Sequence, residues 1–208
     1  SGRTIALDLN HTHTISLFGV QGGGKSYTLG ALAEMATVAI PRINVLNEPL
    51  VTVIFHYSST MDYSPEFTSM VAPNRNEAQV RALREQYGIE PRGIDDVVLL
   101  VPADKLAERS AEHPGIAVHP LKFGPRDLQA AHWKVLMGAV GNQALYLAQL
   151  NRLMKASRHE LSVSLLRERL ANVSMPDNLK ERVEQRLELA AAYVDDHASL
   201  KALVRPGR

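Results

Sequence analysis

"GVQGGGKSYTLG", residues 19–30, is the stretch whose reading decides the fold. Gly19 through Ser26 fits the pattern G-x-x-x-x-G-K-[ST] with no mismatch. The consecutive glycines Gly22, Gly23 and Gly24 let the backbone curl with its N–H groups turned inward, an approach that side chains would block. A β-branched run enters the loop and a helical pattern leaves it, so a helix N-terminus adds partial positive charge at the turn. In that setting Lys25 reaches the β- and γ-phosphates of a bound triphosphate, and the Ser26 hydroxyl ligates Mg2+. The candidate cofactor-binding set is Gly19, Gln21, Gly22, Gly23, Gly24, Lys25, Ser26 and Tyr27. Lys25 is the candidate catalytic residue, and ATP with Mg2+ is the expected ligand. A glycine-rich turn that matches by chance is the competing reading, and the strand before and helix after the loop weigh against it.

Working outward, "TIALDL" (4–9) and "HTISLFGV" (13–20) alternate and are rich in Ile, Leu and Val, so both are expected as strands. "KSYTLGALAEMATVAI" is expected as a helix ended by Pro41, and "PLVTVIFHYS" (49–58) as a buried strand. "NEAQVRALREQYG" (76–88) reads as a short amphipathic helix that Gly88 terminates. "DDVVLLVP" (95–102) reads as another buried strand, and "GIAVHPLKF" (115–123) as a weaker one, with Pro120 arguing for an edge or a strand end.

From Pro125 to about Leu203 the pattern turns helical. Four helices are expected: "PRDLQAAHWKVLMGAVG", "NQALYLAQLNRLMKASR", "ELSVSLLRERLANV" and a long one from Ser174. The last takes Ser174 as N-cap, with Pro176 and Asp177 in its first turn. Its stripe of Leu179, Val183, Leu187, Ala190, Ala191 and Val194 must bury against something. The expected organisation is therefore an α/β core over 1–124 and a helical bundle over 125–208.

Composition narrows the function classes. The 208 residues and 45% hydrophobic content allow a real core. Lys+Arg and Asp+Glu nearly balance at 23 and 22, so any nucleic-acid surface has to be a local patch or come from repeated subunits. The absence of cysteine rules out disulfides, thiolate metal sites and cysteine nucleophiles, and it fits the reducing cytoplasm expected for the chain. The apolar run "VVLLV" (97–101) is far too short to span a bilayer, so no membrane partner is expected.

Hydrolysis needs more than a phosphate loop. It needs an acid at the end of a neighbouring strand to hold Mg2+ and orient water. "VTVIFHYS" ends without one, and "VVLLVPAD" reaches Asp104 only after Pro102. Asp8 precedes the loop at the edge of the motif. Asp62 and Glu66, in "MDYSPEF", are the best internal candidates, against a competing role as solvated or capping carboxylates.

"ISLFGVQGGGKSYTLGALAEMA", with His13 just ahead of it, resembles the HerA/FtsK superfamily of P-loop ATPases, and more closely the HerA-like bacterial ATP-binding proteins. The resemblance covers most of the chain in order of elements, while only the phosphate loop is specific in residues. It implies a RecA/HerA-like P-loop NTPase core with a mainly parallel sheet and an inserted helical bundle. It further implies ATP hydrolysis driving a DNA translocase or helicase, a hexameric ring of identical subunits, and double-stranded DNA as substrate. The family's Walker B Asp-Glu pair and its cross-subunit arginine have no identifiable counterpart here. The resemblance thus makes this chain the P-loop half of a longer ATPase, opening on Ser1 rather than Met, with the acid on a strand beginning just after Arg208. Two alternatives stay open: a nucleotide-sensing module that oligomerises on ATP and acts through a protein partner, and a motor that moves protein instead of DNA.

Other groupings are weaker. His11 and His13 share one face of an extended stretch, without a third metal ligand. Arg152, Lys155 and His159 recur at helical spacing, with Arg158, Arg167 and Arg169 near; they suit DNA phosphates or, more plainly, a solvated face. Trp133, Leu136 and Met137 have the spacing of a core anchor.

Overall fold

The computed structural model describes residues 8, 11–20, 22–57, 68, 70–138, 151–152, 154 and 161–208. The chain forms two compact units, one of residues 1–97 with 204–208 and one of residues 98–203. The fold is mixed, with helices and a small two-stranded parallel sheet.

In the first unit, α1 (Lys25–Thr37) starts directly behind Gly24, whose φ of 80° is a conformation that favours glycine. The helix stops short of Pro41, because Asn44 competes for its end. The Asn44 amide donates to the carbonyls of Met35 and Val38 at 2.6 and 2.9 Å, and its Oδ1 accepts the Ile40 N–H at 2.6 Å. One side chain thereby satisfies carbonyls that a helix C-terminus leaves orphaned. Helix α2 (Glu77–Tyr87) matches its sequence signals. Asn76 caps it by accepting the Gln79 N–H, and Gly88 ends it at φ 66°.

The strands expected at 13–20 and 49–58 do not form among the described residues. Residues 13–20 and 49–57 lie outside helices and strands, with Phe18 and Phe55 more than 90% exposed. A β-rich sequence becomes a strand only when a neighbour takes its backbone groups. The 49–57 segment has that neighbour at its start only. The Gly207 N–H donates to the Leu50 carbonyl at 3.1 Å, and the Thr52 N–H to the Arg208 carbonyl at 2.9 Å. The 4–9 expectation falls almost wholly outside the described residues.

The returning segment is fastened by charge. Asp96 Oδ2 accepts from Arg205 Nη2 at 2.8 Å, and Oδ1 from Arg208 Nη2 at 2.7 Å. These hydrogen bonds, Arg208's foremost, hold the Asp96 carboxyl below its ordinary value of 3.8. A depressed folded-state value stabilises the fold above 3.8 and withdraws that stabilisation as pH falls through the lower folded value. Wild-type protein is therefore expected to lose more urea resistance between pH 5 and pH 2.5 than Asp96→Asn, as measured by unfolding midpoints. Equal losses would remove Asp96 from the acid response.

In the second unit, β1 (Val98–Val101) and β2 (Ala117–Pro120) pair in parallel, Val98 opposite Ala117 through Val101 opposite Pro120. Helix α3 (Leu106–Glu112) forms the crossover between them. Both strands were legible in sequence, with Pro120 closing the second. The helices are shorter than expected. A 3₁₀ turn at Pro125–Asp127 and extended Leu128 precede α4 (Ala130–Leu136), and Gly138 follows it at φ 60°. Helix α5 (Val163–Asn172) is capped by Ser162, whose Oγ accepts the Leu165 N–H. Helix α6 (Asp177–Ala191) begins after Pro176, not at a Ser174 cap. It ends before Val194 because Tyr193 and Asp195 pair their backbones with Phe123 instead.

The core lies among these helices. Trp133, Met137, Leu166, Val183 and Leu187 are fully buried. The expected stripe on α6 faces inward, with Val183, Leu187, Ala190 and Val194 all buried. Arg167 Nε donates to Glu184 Oε1 at 2.6 Å, tying α5 to α6 at the surface.

Candidate functional site

The phosphate loop is a feature of the first unit's surface. Gly22 and Gly24 have φ of 78° and 80°, so each holds a backbone conformation that an L side chain strains. Gly23 is favoured by space: a Cβ there would stand a tight 3.0 Å from the Val20 carbonyl oxygen, which accepts the Gly23 N–H at 3.1 Å. Each of the three glycines therefore has its own reason to be glycine.

Lys25, the first residue of α1, folds back over the loop. Its Nζ donates to the Gly19 carbonyl at 2.7 Å and the Val20 carbonyl at 2.8 Å. An ammonium has three donors, so one stays available to an anion. The N–H groups of Gly24, Lys25, Ser26 and Tyr27 make no backbone hydrogen bond among the described residues; the first in the helix to do so is Thr28, to Gly24 at 2.9 Å. The first turn of α1 carries no acidic side chain. The arrangement joins orphan donors, a helix N-terminus and an ammonium, which suits a phosphate group. Ser26 and Tyr27 are both exposed beside it, and the Ser26 hydroxyl makes no hydrogen bond among the described residues. Gln21 lies outside the described residues.

Asp62 and Glu66 lie outside the described residues. Asp8 Oδ2 bonds His11 Nδ1 at 2.7 Å. Asp104 sits in the 3₁₀ turn behind β1. Glu34, on α1 itself, was not a sequence candidate; burial raises its carboxyl above the ordinary value, with Arg92 opposing. Eight residues along a helix is about 12 Å, too far for it to share an ion with Ser26.

No group of three or more His, Cys, Asp or Glu side chains able to hold a metal occurs among the described residues. Of the basic residues at 152–169, Arg167 is used in the ion pair with Glu184, and Lys155, Arg158 and His159 lie outside the described residues. Trp133 is core, as its spacing implied. No helix among the described residues is long and apolar enough to cross a membrane. No family model, curated protein or solved structure matches the chain.

Proposed function

We propose that the chain binds a nucleoside triphosphate with Mg2+ at the Gly19–Ser26 loop, as the phosphate-binding part of an ATP-driven motor of the HerA/FtsK type. The observation that carries this reading is the convergence on one loop of the Lys25 ammonium, the start of α1 and the N–H groups of residues 24–27, which make no backbone hydrogen bond among the described residues. The triphosphate lies against the N–H groups, Lys25 neutralises the β- and γ-phosphate oxygens, and Ser26 contributes its hydroxyl to the magnesium shell. Mg2+, when bound, would supply charge neutralisation at the phosphates. The acid that orients water is not among the residues at this loop, and a neighbouring subunit of a ring completes the charge on the transition state. Double-stranded DNA is the substrate this reading favours.

The test is direct. The chain is titrated with a fluorescent ATP analogue, with and without Mg2+, and then assayed for phosphate release with and without duplex DNA. The expected result is saturable, Mg2+-dependent binding displaced by ATP and ADP. Because the loop reads phosphates and not the base, GTP is expected to compete as well. DNA-stimulated release supports the motor. Binding without release leaves a nucleotide-gated module that acts through a protein partner, and no binding overturns the proposal.

A further inference from the structure

Helix α2 carries an arginine-lined groove. A cavity of about 390 Å³ opens there, lined by Arg75, Glu77, Val80, Arg81 and Arg84. Positions 77, 80, 81 and 84 follow one another at helical spacing, so they share one face of α2. Arg75 joins them from the turn just ahead of the Asn76 cap. Val80 is half-buried and the other four are exposed.

Both ends of the groove are held in place. Asn74 Oδ1 accepts the Asn76 N–H at 2.9 Å, and Asn74 Nδ2 donates to Gln79 Oε1 at 2.6 Å. These bonds close an Asx turn around Arg75 and tie it to the first turns of the helix. At the far end Arg84 donates through Nε and Nη2 to the two Glu90 oxygens, at 2.7 Å each. Arg75 and Arg81 make no hydrogen bond or ion pair among the described residues. Arg81 stands one turn beyond Glu77, the spacing of a surface ion pair, and still does not take it.

A guanidinium is a planar fork of donors that matches phosphate oxygens two at a time. Two forks without partners, beside a third that is already oriented, match two linked phosphates. The volume is that of a small-ligand site. No aromatic side chain is among the described lining residues, so the groove offers no platform on which a nucleic-acid base stacks. We infer that this groove binds the diphosphate group of a small molecule, with Arg75 and Arg81 each forking one phosphate. Arg84 adds its remaining donors, and Glu77 works against the bound anion. The groove shares no residue with the Gly19–Ser26 loop, and the inference does not depend on nucleotide binding there.

Calorimetric titration of pyrophosphate into the Lys25→Ala protein tests it, since that background weakens the loop's own hold on phosphates. Saturable binding is expected, weakened at least about tenfold by Arg75→Gln or Arg81→Gln and tightened several-fold by Glu77→Gln. Arg81→Lys keeps the charge and loses the fork, so it is expected to weaken binding nearly as much as Arg81→Gln. With Lys25 intact, Arg81→Gln is expected to leave binding of a fluorescent ATP analogue unchanged, which separates the groove from the loop. Absence of pyrophosphate binding, or binding that survives Arg75→Gln and Arg81→Gln together, overturns the assignment. Full affinity in Arg81→Lys reduces the groove to diffuse charge and overturns it too. Arginine-dependent binding of duplex DNA or of a polyglutamate peptide without pyrophosphate binding overturns the diphosphate assignment as well.

Discussion

Lys25→Ala is expected to weaken Mg-ATP binding by about ten- to a hundredfold, matching the ~1.5–3 kcal/mol that a hydrogen bond to a charged group contributes. The Lys25 ammonium already holds the Gly19 and Val20 carbonyls at 2.7 and 2.8 Å, so it is placed over the loop before any ligand arrives. That placement reduces the ordering cost of binding. Part of the gain is offset, because a phosphate competes with those carbonyls for the same donors. The bonds are solvent-exposed, so water replaces them in the variant, and stability is expected to change by no more than about 0.5 kcal/mol. Arginine is expected not to rescue binding, since its planar fork cannot place a single donor centre over two adjacent carbonyls. Titration calorimetry with a parallel thermal melt separates the outcomes. Undiminished affinity in Lys25→Ala would remove the lysine from the site, and a collapsed melt would make its role structural.

Trp133→Ala is expected to destabilise the second unit by about 3–5 kcal/mol, the usual cost of deleting a large aromatic side chain from a packed core. Trp133 is 0% exposed and belongs to one cluster with Met137, Leu166, Val183 and Leu187. A change of that size is a large part of what a typical domain possesses. Trp133→Phe separates volume from polarity. The indole Nε1–H is buried and finds no acceptor among the described residues. An unsatisfied buried donor costs about 1–3 kcal/mol, so phenylalanine regains much of the lost packing without that penalty. The expected order of urea midpoints, followed by circular dichroism, places wild type and Trp133→Phe close together and Trp133→Ala far below. Equal losses in the two variants would show that the indole nitrogen is satisfied.

Local chemistry was the legible part of the sequence. The phosphate-loop glycines, Gly88 behind α2, Pro120 at the end of β2 and the α6 stripe were all readable because a single residue's geometry, or a period, dictates the outcome. The helix ends were not, because their competitors come from elsewhere in the chain. Asn44 takes the end of α1, and Phe123 takes the residues behind α6, and neither signal lies within the helix it shortens. The segments 13–20 and 49–57 show the limit most clearly. Their period-two patterns predicted strands, yet a strand is a relation between two segments, and pattern alone does not supply the partner. In the candidate site the left-handed turns at Gly22 and Gly24 were readable, whereas Lys25's hold on the Gly19 and Val20 carbonyls was not. The pattern names the lysine without giving its resting position.

The Asp96 clamp has a consequence for how the gene can change. Asp96 and Arg205 stand 2.8 Å apart, at the two points where the chain leaves the first unit and re-enters it. Exit and entry are therefore neighbours on the first unit, and Val98 to Leu203 is the excursion between them. Closure entropy grows only logarithmically with the length of such an excursion. Whole helices can be gained or lost there across descendants with little penalty to the phosphate-loop unit, which leaves the second unit free to diverge while its host keeps one geometry.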